Sequence, residues 1–104
     1  MVLLELSVVP LCVGESVSRE VAACVELIDA SGLDYELHAM GTIVEGELDQ
    51  VVSLMQQCIE LLAANHDRVS CSAKLDYRRG QSGRLRSKVA SVEQKLGRVA
   101  RRSP

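Results

Sequence analysis

Apolar and polar residues alternate along VLLELSVV, residues 2–9, with Leu4, Leu6 and Val8 on one side and Glu5 and Ser7 on the other. A period of two in a run rich in valine and leucine predicts a half-buried strand, which Pro10 closes. The period then changes. Val17, Val21, Cys24, Val25 and Ile28 recur at helical spacing, with Ser16 as a candidate N-cap and Gly32 placed to end the helix. YELHAMGTIVEGE, residues 35–47, reads as two short strands, about 34–40 and 42–46, joined at Gly41. Asp49 can cap a second helix whose stripe is Val51, Leu54, Met55, Cys58, Ile59, Leu61 and Leu62, and Asn65 can end it. RVSCSAKLDY, residues 68–77, alternates again: Val69, Cys71, Ala73 and Leu75 face one way, Ser70, Ser72, Lys74 and Asp76 the other. After the polar loop RRGQSGR, Leu85, Val89, Val92, Leu96 and Val99 mark a third helix with a narrow apolar seam.

The predicted order is β-α-β-β-α-β-α. With right-handed crossovers this is an α+β chain, a ferredoxin-like plait: a four-stranded antiparallel sheet with two helices on one face, plus a C-terminal helix. One domain is expected over residues 1–98, with the basic residues 99–104 fraying. The two helices are expected to cover Leu4, Leu6, Val8, Val69, Cys71, Ala73 and Leu75. The other face keeps Glu5, Ser7, Ser70, Ser72, Lys74 and Asp76. The hairpin could slip by one residue, which flips its faces. One choice adds Glu36 and His38 to the polar face, with Thr42 or Glu45.

Composition narrows the chemistry. There is no Phe or Trp, and Tyr35 and Tyr77 are the only aromatics, so the core must be aliphatic with some thiol. Cys12, Cys24, Cys58 and Cys71 form no C-x-x-C pair, and Cys24 and Cys58 fall on apolar helix stripes, which suits free buried thiols in a reducing, cytoplasmic compartment. Two histidines and scattered thiols give no metal-ligand cluster. The N-terminal run lacks a basic region before it and contains Glu5, so it reads as a strand and not a signal peptide, and no apolar run approaches the ~18 residues of a membrane span. Neither histidine has a Ser or Cys partner at a motif spacing, and no glycine-rich phosphate loop is present, so no catalytic residue is assigned. Charge is uneven: residues 1–77 hold three basic and thirteen acidic side chains, residues 78–104 nine basic and one acidic. The basic end has no aromatic platform for bases and an acidic body close by, which argues against nucleic acid as its partner.

The polar sheet face carries small hydroxyls and isolated carboxylates. Small residues let another surface approach closely, so a second copy of the chain is the expected cover, with the third helix's seam as a further contact. A gap lined by hydroxyls and carboxylates accepts hydrogen bonds and favours a cation, so the expected ligand is small, rich in N–H donors, and neutral or positive.

Three segments in order, the strand ending VVP, the hairpin YELHAMGTIVEGE and the later KLDYRRG, are similar to the thiamine-binding, YkoF-like family. The resemblance runs from about Val2 to Leu96, and Y-E-x-x-x-M-G-T-x-V-E-G is its most specific part. It implies ferredoxin-like domains paired through their sheets into dimers or tetramers, and non-enzymatic binding of thiamine or its hydroxymethylpyrimidine half, with no further cofactor. Carried over, the site is Glu5 and Ser7 on strand one, Glu36 and Thr42 in the hairpin, and Asp76 on strand four. Tyr35, Met40, Arg78 and Arg79 are possible added contacts. Thr42 and Ser7 would bond the pyrimidine, and Glu5 or Glu36 would take its amine or balance the thiazolium. Two alternatives stay open. The polar face could be an interface without a vitamin, or the loop 78–84, with Arg78, Arg79 and Arg84, could hold an anion.

Overall fold

The computed structural model describes residues 1–12, 14, 16–80 and 82–100. The elements are β1 (Val2–Pro10), α1 (Ser18–Ala30), β2 (Asp34–His38), β3 (Gly41–Gly46), α2 (Leu48–Ala63), β4 (Val69–Tyr77) and α3 (Arg84–Leu96). The antiparallel sheet has the order β2-β3-β1-β4, the predicted plait with its added helix.

The core lies between α1, α2 and one sheet face. Val2, Leu4, Leu6 and Val8 of β1 and Val44 of β3 meet Cys24 and Ile28 of α1 and Val51, Leu54, Cys58 and Leu62 of α2, all buried. Each such aliphatic side chain contributes about 1.5–3 kcal/mol when fully removed from water. Ala73 and Leu75, expected under the helices, are exposed instead. They sit on the outer strand β4, and the helices' buried side chains converge on β1 and β3. Leu61 likewise stands on the solvent side of α2.

Helix ends differ in detail from expectation. Val17, not Ser16, is the N-cap of α1, and the Ser16 hydroxyl contacts the Ser18 hydroxyl at 3.2 Å. Glu47, not Asp49, precedes α2, where its backbone N–H donates to Gln50 Oε1 at 3.0 Å, half of a capping box. Ala64, not Asn65, caps the far end of α2. Gly32 does take the left-handed conformation after α1, and its N–H donates to the Asp29 carbonyl.

The hairpin parity resolves through its register. Leu6 pairs with Thr42 and Leu4 with Val44, while Glu5 pairs with Ile43, which pairs in turn with Glu36. Directly opposed residues share a face. Tyr35, Leu37, Thr42 and Val44 therefore lie on the helix side, and Glu36, His38, Ile43 and Glu45 on the other. The turn is only Ala39–Met40, and neither takes a positive φ; Gly41 does, at +155°. The His38 ring closes this tip, its Nδ1 accepting the Met40 N–H at 3.2 Å.

The second face is not wholly open. α3 lies across its β2–β3 half and buries Leu85 and Arg84 there. The Arg84 backbone N–H donates to Glu45 Oε2 at 2.8 Å, and its guanidinium donates to the carbonyl and carboxylate of Asp76. Lys88, one turn along, reaches the same carboxylate. Residues 99–104, expected to fray, are described only in part: Ala100 N–H is held by Glu93 Oε2 at 2.6 Å, and residues 101–104 lie outside the described set.

Candidate functional site

α3 lies over the β2–β3 half of the second face, and its Arg84 and Lys88 reach Asp76 at the Leu3 end of β1 and β4. The strip left uncovered is therefore the part of β1 and β4 from Glu5 and Lys74 onward. Glu5 is opposed there by Lys74, with Ser7 opposite Ser72 two positions along. These four side chains and Met40 border a crevice of about 160 Å3. A neighbouring hollow of about 460 Å3 runs from Glu5 and Lys74 past Leu3 and Ile43 to Asp76 and Lys88. Glu5 is half exposed, and His38 Nε2 approaches its Oε2 at 3.6 Å. His38 Nδ1 accepts from Met40, so Nε2 is the ring nitrogen that faces Glu5.

The residues singled out from the sequence divide into groups. Glu5 and Ser7 stand together on the uncovered strip. Glu36 shares the face but opens onto a different crevice, bounded by Leu85, Arg86, Val89 and Glu93 of α3. Thr42 is a correction to the polar-face grouping: its parity places it on the helix side, 5% exposed, at the wall of a separate cavity of about 310 Å3 beneath α1. Asp76 pairs with neither Arg78 nor Arg79 but with Arg84 and Lys88, whose hydrogen bonds hold its carboxyl below the usual carboxylate range, Lys88 having the larger effect.

Tyr35 points to the helices, and its hydroxyl donates to Asp29 Oδ1 at 2.9 Å; that bond raises the phenol above its ordinary value. Met40 stands out at the hairpin tip, 82% exposed. Arg78 and Arg79 are exposed. The Arg-rich loop looks different from the anion site the sequence allows. Arg84 is turned inward onto Asp76, and the N–H at the start of α3 is taken by Glu45, so a protein carboxylate already occupies the position an anion would use. Gln81 of that loop lies outside the described residues.

Ser72 and Lys74 belong to the strip although they were not among the assigned site residues; the alternation of strand four was the available signal. Arg84 was singled out only as a candidate anion ligand of the loop; nothing in the sequence pointed to its inward bonds to Asp76. Among the described residues no group of three or more metal-capable side chains converges, and no helix is long and apolar enough to cross a membrane.

The family profile described as thiamine-binding protein matches residues 4–93. The chain belongs to this thiamine-binding protein family. Its relatives include a UPF0045 protein of Mycobacterium bovis, 39% identical over 96 residues, which span 91% of this chain and 94% of that protein. A hypothetical protein of Methanocaldococcus jannaschii has the same fold in its crystal structure, with a TM-score of 0.82, 31% identity, and coverage of 89% of this chain and 96% of that one. A Thermotoga maritima protein shares the fold at a TM-score of 0.77 and 23% identity, over 88% of this chain and 97% of that one. The uncovered strip presents two hydroxyls, one carboxylate and one ammonium, those of Ser7, Ser72, Glu5 and Lys74.

Proposed function

We propose that this chain is a non-enzymatic, cytoplasmic binding protein for thiamine or its hydroxymethylpyrimidine half. The ligand lies on the β1–β4 strip, and a second copy covers it in a dimer or tetramer. The observation that carries this reading is Glu5, a half-exposed carboxylate flanked by Ser7 and Ser72 on the part of the sheet that α3 leaves bare. Carboxylate and hydroxyl oxygens accept from an exocyclic amine, and in a gap closed by a second subunit an ionised carboxylate gains strength toward a fixed positive charge. Asp76 is already neutralised by Arg84 and Lys88, so it supports the strip's geometry and leaves the charge recognition to Glu5. The exposed Val92, Leu96 and Val99 on and after α3 add apolar area for the second copy.

Calorimetry with thiamine and with hydroxymethylpyrimidine, run beside light scattering, tests both parts. The expected result is heat with thiamine, weakened at least tenfold in Glu5→Gln, from a protein whose mass is a multiple of the protomer. Absence of heat from a stable oligomer would leave an interface module without a vitamin. A monomer would remove the cover on which the reading depends.

A further inference from the structure

Cysteines gather on the helix side of the sheet. Cys24 of α1 and Cys58 of α2 are buried, 6% and 0% exposed, and Cys71 of β4 packs half-buried against the same core. The Cys24 sulfur lies 4.0 Å from the Cys58 carbonyl oxygen, and the two thiols touch. Both are free.

The two sulfurs are not equivalent. Their contact holds the Cys24 thiol below its ordinary value, and the same contact, with burial, pushes Cys58 up. The proton of the pair therefore stays on Cys58, and thiolate character gathers on Cys24. Access is unequal in the same sense. Cys24 stands in the wall of the cavity of about 310 Å3 beneath α1, beside Val21 and Ile28, and Cys58 is not among the described residues that border it. The more reactive sulfur is the one a small molecule can reach, and the other lies directly behind it. An attacking and a resolving cysteine are arranged in this way.

We propose that Cys24 and Cys58 form a reversible oxidation site, at which a hydroperoxide entering the cavity beneath α1 converts the two thiols into a disulfide that ties α1 to α2. The Cys24 thiolate attacks one peroxide oxygen, the O–O bond breaks, and the departing hydroxide takes up the proton that Cys24 released, giving water and a sulfenic acid. The Cys58 sulfur then attacks the Cys24 sulfur and the S–O bond breaks. Hydroxide leaves with the Cys58 proton as a second water. Two thiols thus lose two electrons and two protons, and a dithiol reductant returns them by exchange. The link closes a loop that contains the whole hairpin, so it restricts the unfolded chain and stabilises the folded one. It also pins the helix that roofs the cavity, which shuts out any guest that has to lift α1. Neither consequence depends on which ligand the protein carries.

Hydrogen peroxide added to the native Cys12→Ser protein, which lacks the exposed thiol, tests this. The mass should fall by that of two hydrogen atoms, and peptide mapping should join Cys24 to Cys58. The urea midpoint should rise without reductant and return with dithiothreitol. Cys58→Ala in the same background should stop at a Cys24 sulfenic acid that dimedone traps, and Cys24→Ala should leave Cys58 a thiol. Should either alanine variant fail to fold, the peptide map of Cys12→Ser decides alone. A map that joins Cys24 to Cys71 overturns the assignment. So does a peroxide dose that converts exposed Met40 to its sulfoxide while Cys24 and Cys58 both remain thiols.

Discussion

Replacing Gly41 by alanine tests the joint between the hairpin and β1. A Cβ built at Gly41 would stand 2.8 Å from the Leu6 carbonyl oxygen, a backbone atom that cannot swing aside, and Gly41 has φ +155°. Holding a non-glycine residue in such a conformation costs about 1–3 kcal/mol, and overpacking against a fixed neighbour typically adds about 1–3. Alanine restricts the unfolded chain, which returns about 0.4–1 kcal/mol. The expected net loss is about 1–5.5 kcal/mol, a large share of the stability of a domain this size. Gly80→Ala is the control, because Gly80 also has positive φ, +70°, but nothing lies within 4 Å of its would-be Cβ. Urea unfolding should show the midpoint of Gly41→Ala falling well below that of Gly80→Ala with the slope unchanged. In NMR spectra the amide shifts should concentrate at Leu6, Ser7 and Met40. Equal losses at the two glycines would mean that the close approach to β1 is not what selects glycine at 41.

Other outcomes follow from the same geometry. Leu85→Ala should destabilise by about 2–4 kcal/mol as a large-to-small change at a buried site, with hydrogen exchange rising across α3 while the β1 amides stay protected. The Asp76 carboxyl is held below its ordinary value of 3.8 in the folded chain, so its contribution is fully present above that value and is lost as pH falls through the lower, folded one. α3 should therefore loosen in acid below about pH 4, and Asp76→Asn should flatten that part of the acid-unfolding curve. The Cys58 thiol is pushed up by its contact with the Cys24 thiol and by burial, so alkylation of native protein at neutral pH should label exposed Cys12 first and spare Cys58 until denaturant is added.

The fold was legible because its main periods are clean. Leu4, Leu6 and Val8 alternate without a fault, and Val51, Leu54, Cys58 and Leu62 keep helical spacing, so strand and helix types were determined before any contact was known. Where strand four runs outboard the pattern overstated burial, since alternation marks a face but not whether a helix reaches that far; Leu75 shows this. The hairpin was harder. Thr42 faces the core side and Glu45 is buried beneath α3, so polarity there contradicts parity. Only the tight closure at Ala39–Met40 sets the register, and that is decided by geometry at Gly41 more than by residue type. The candidate site was half legible for the same reason. Glu5 and Ser7 lie on a strand whose faces were unambiguous, whereas Asp76's partners, Arg84 and Lys88, depend on where a third helix docks.

The bond from the Tyr35 hydroxyl to Asp29 joins the end of α1 to the first strand of the hairpin. Since the chain has no tryptophan and only one other tyrosine, Tyr77, no indole drains the phenol's emission. The carboxylate beside it should dim that emission for as long as the two elements stay together. Any guest that wedges α1 away from the sheet would let Tyr35 brighten, giving the molecule its own optical gauge of occupancy without a dye or a label.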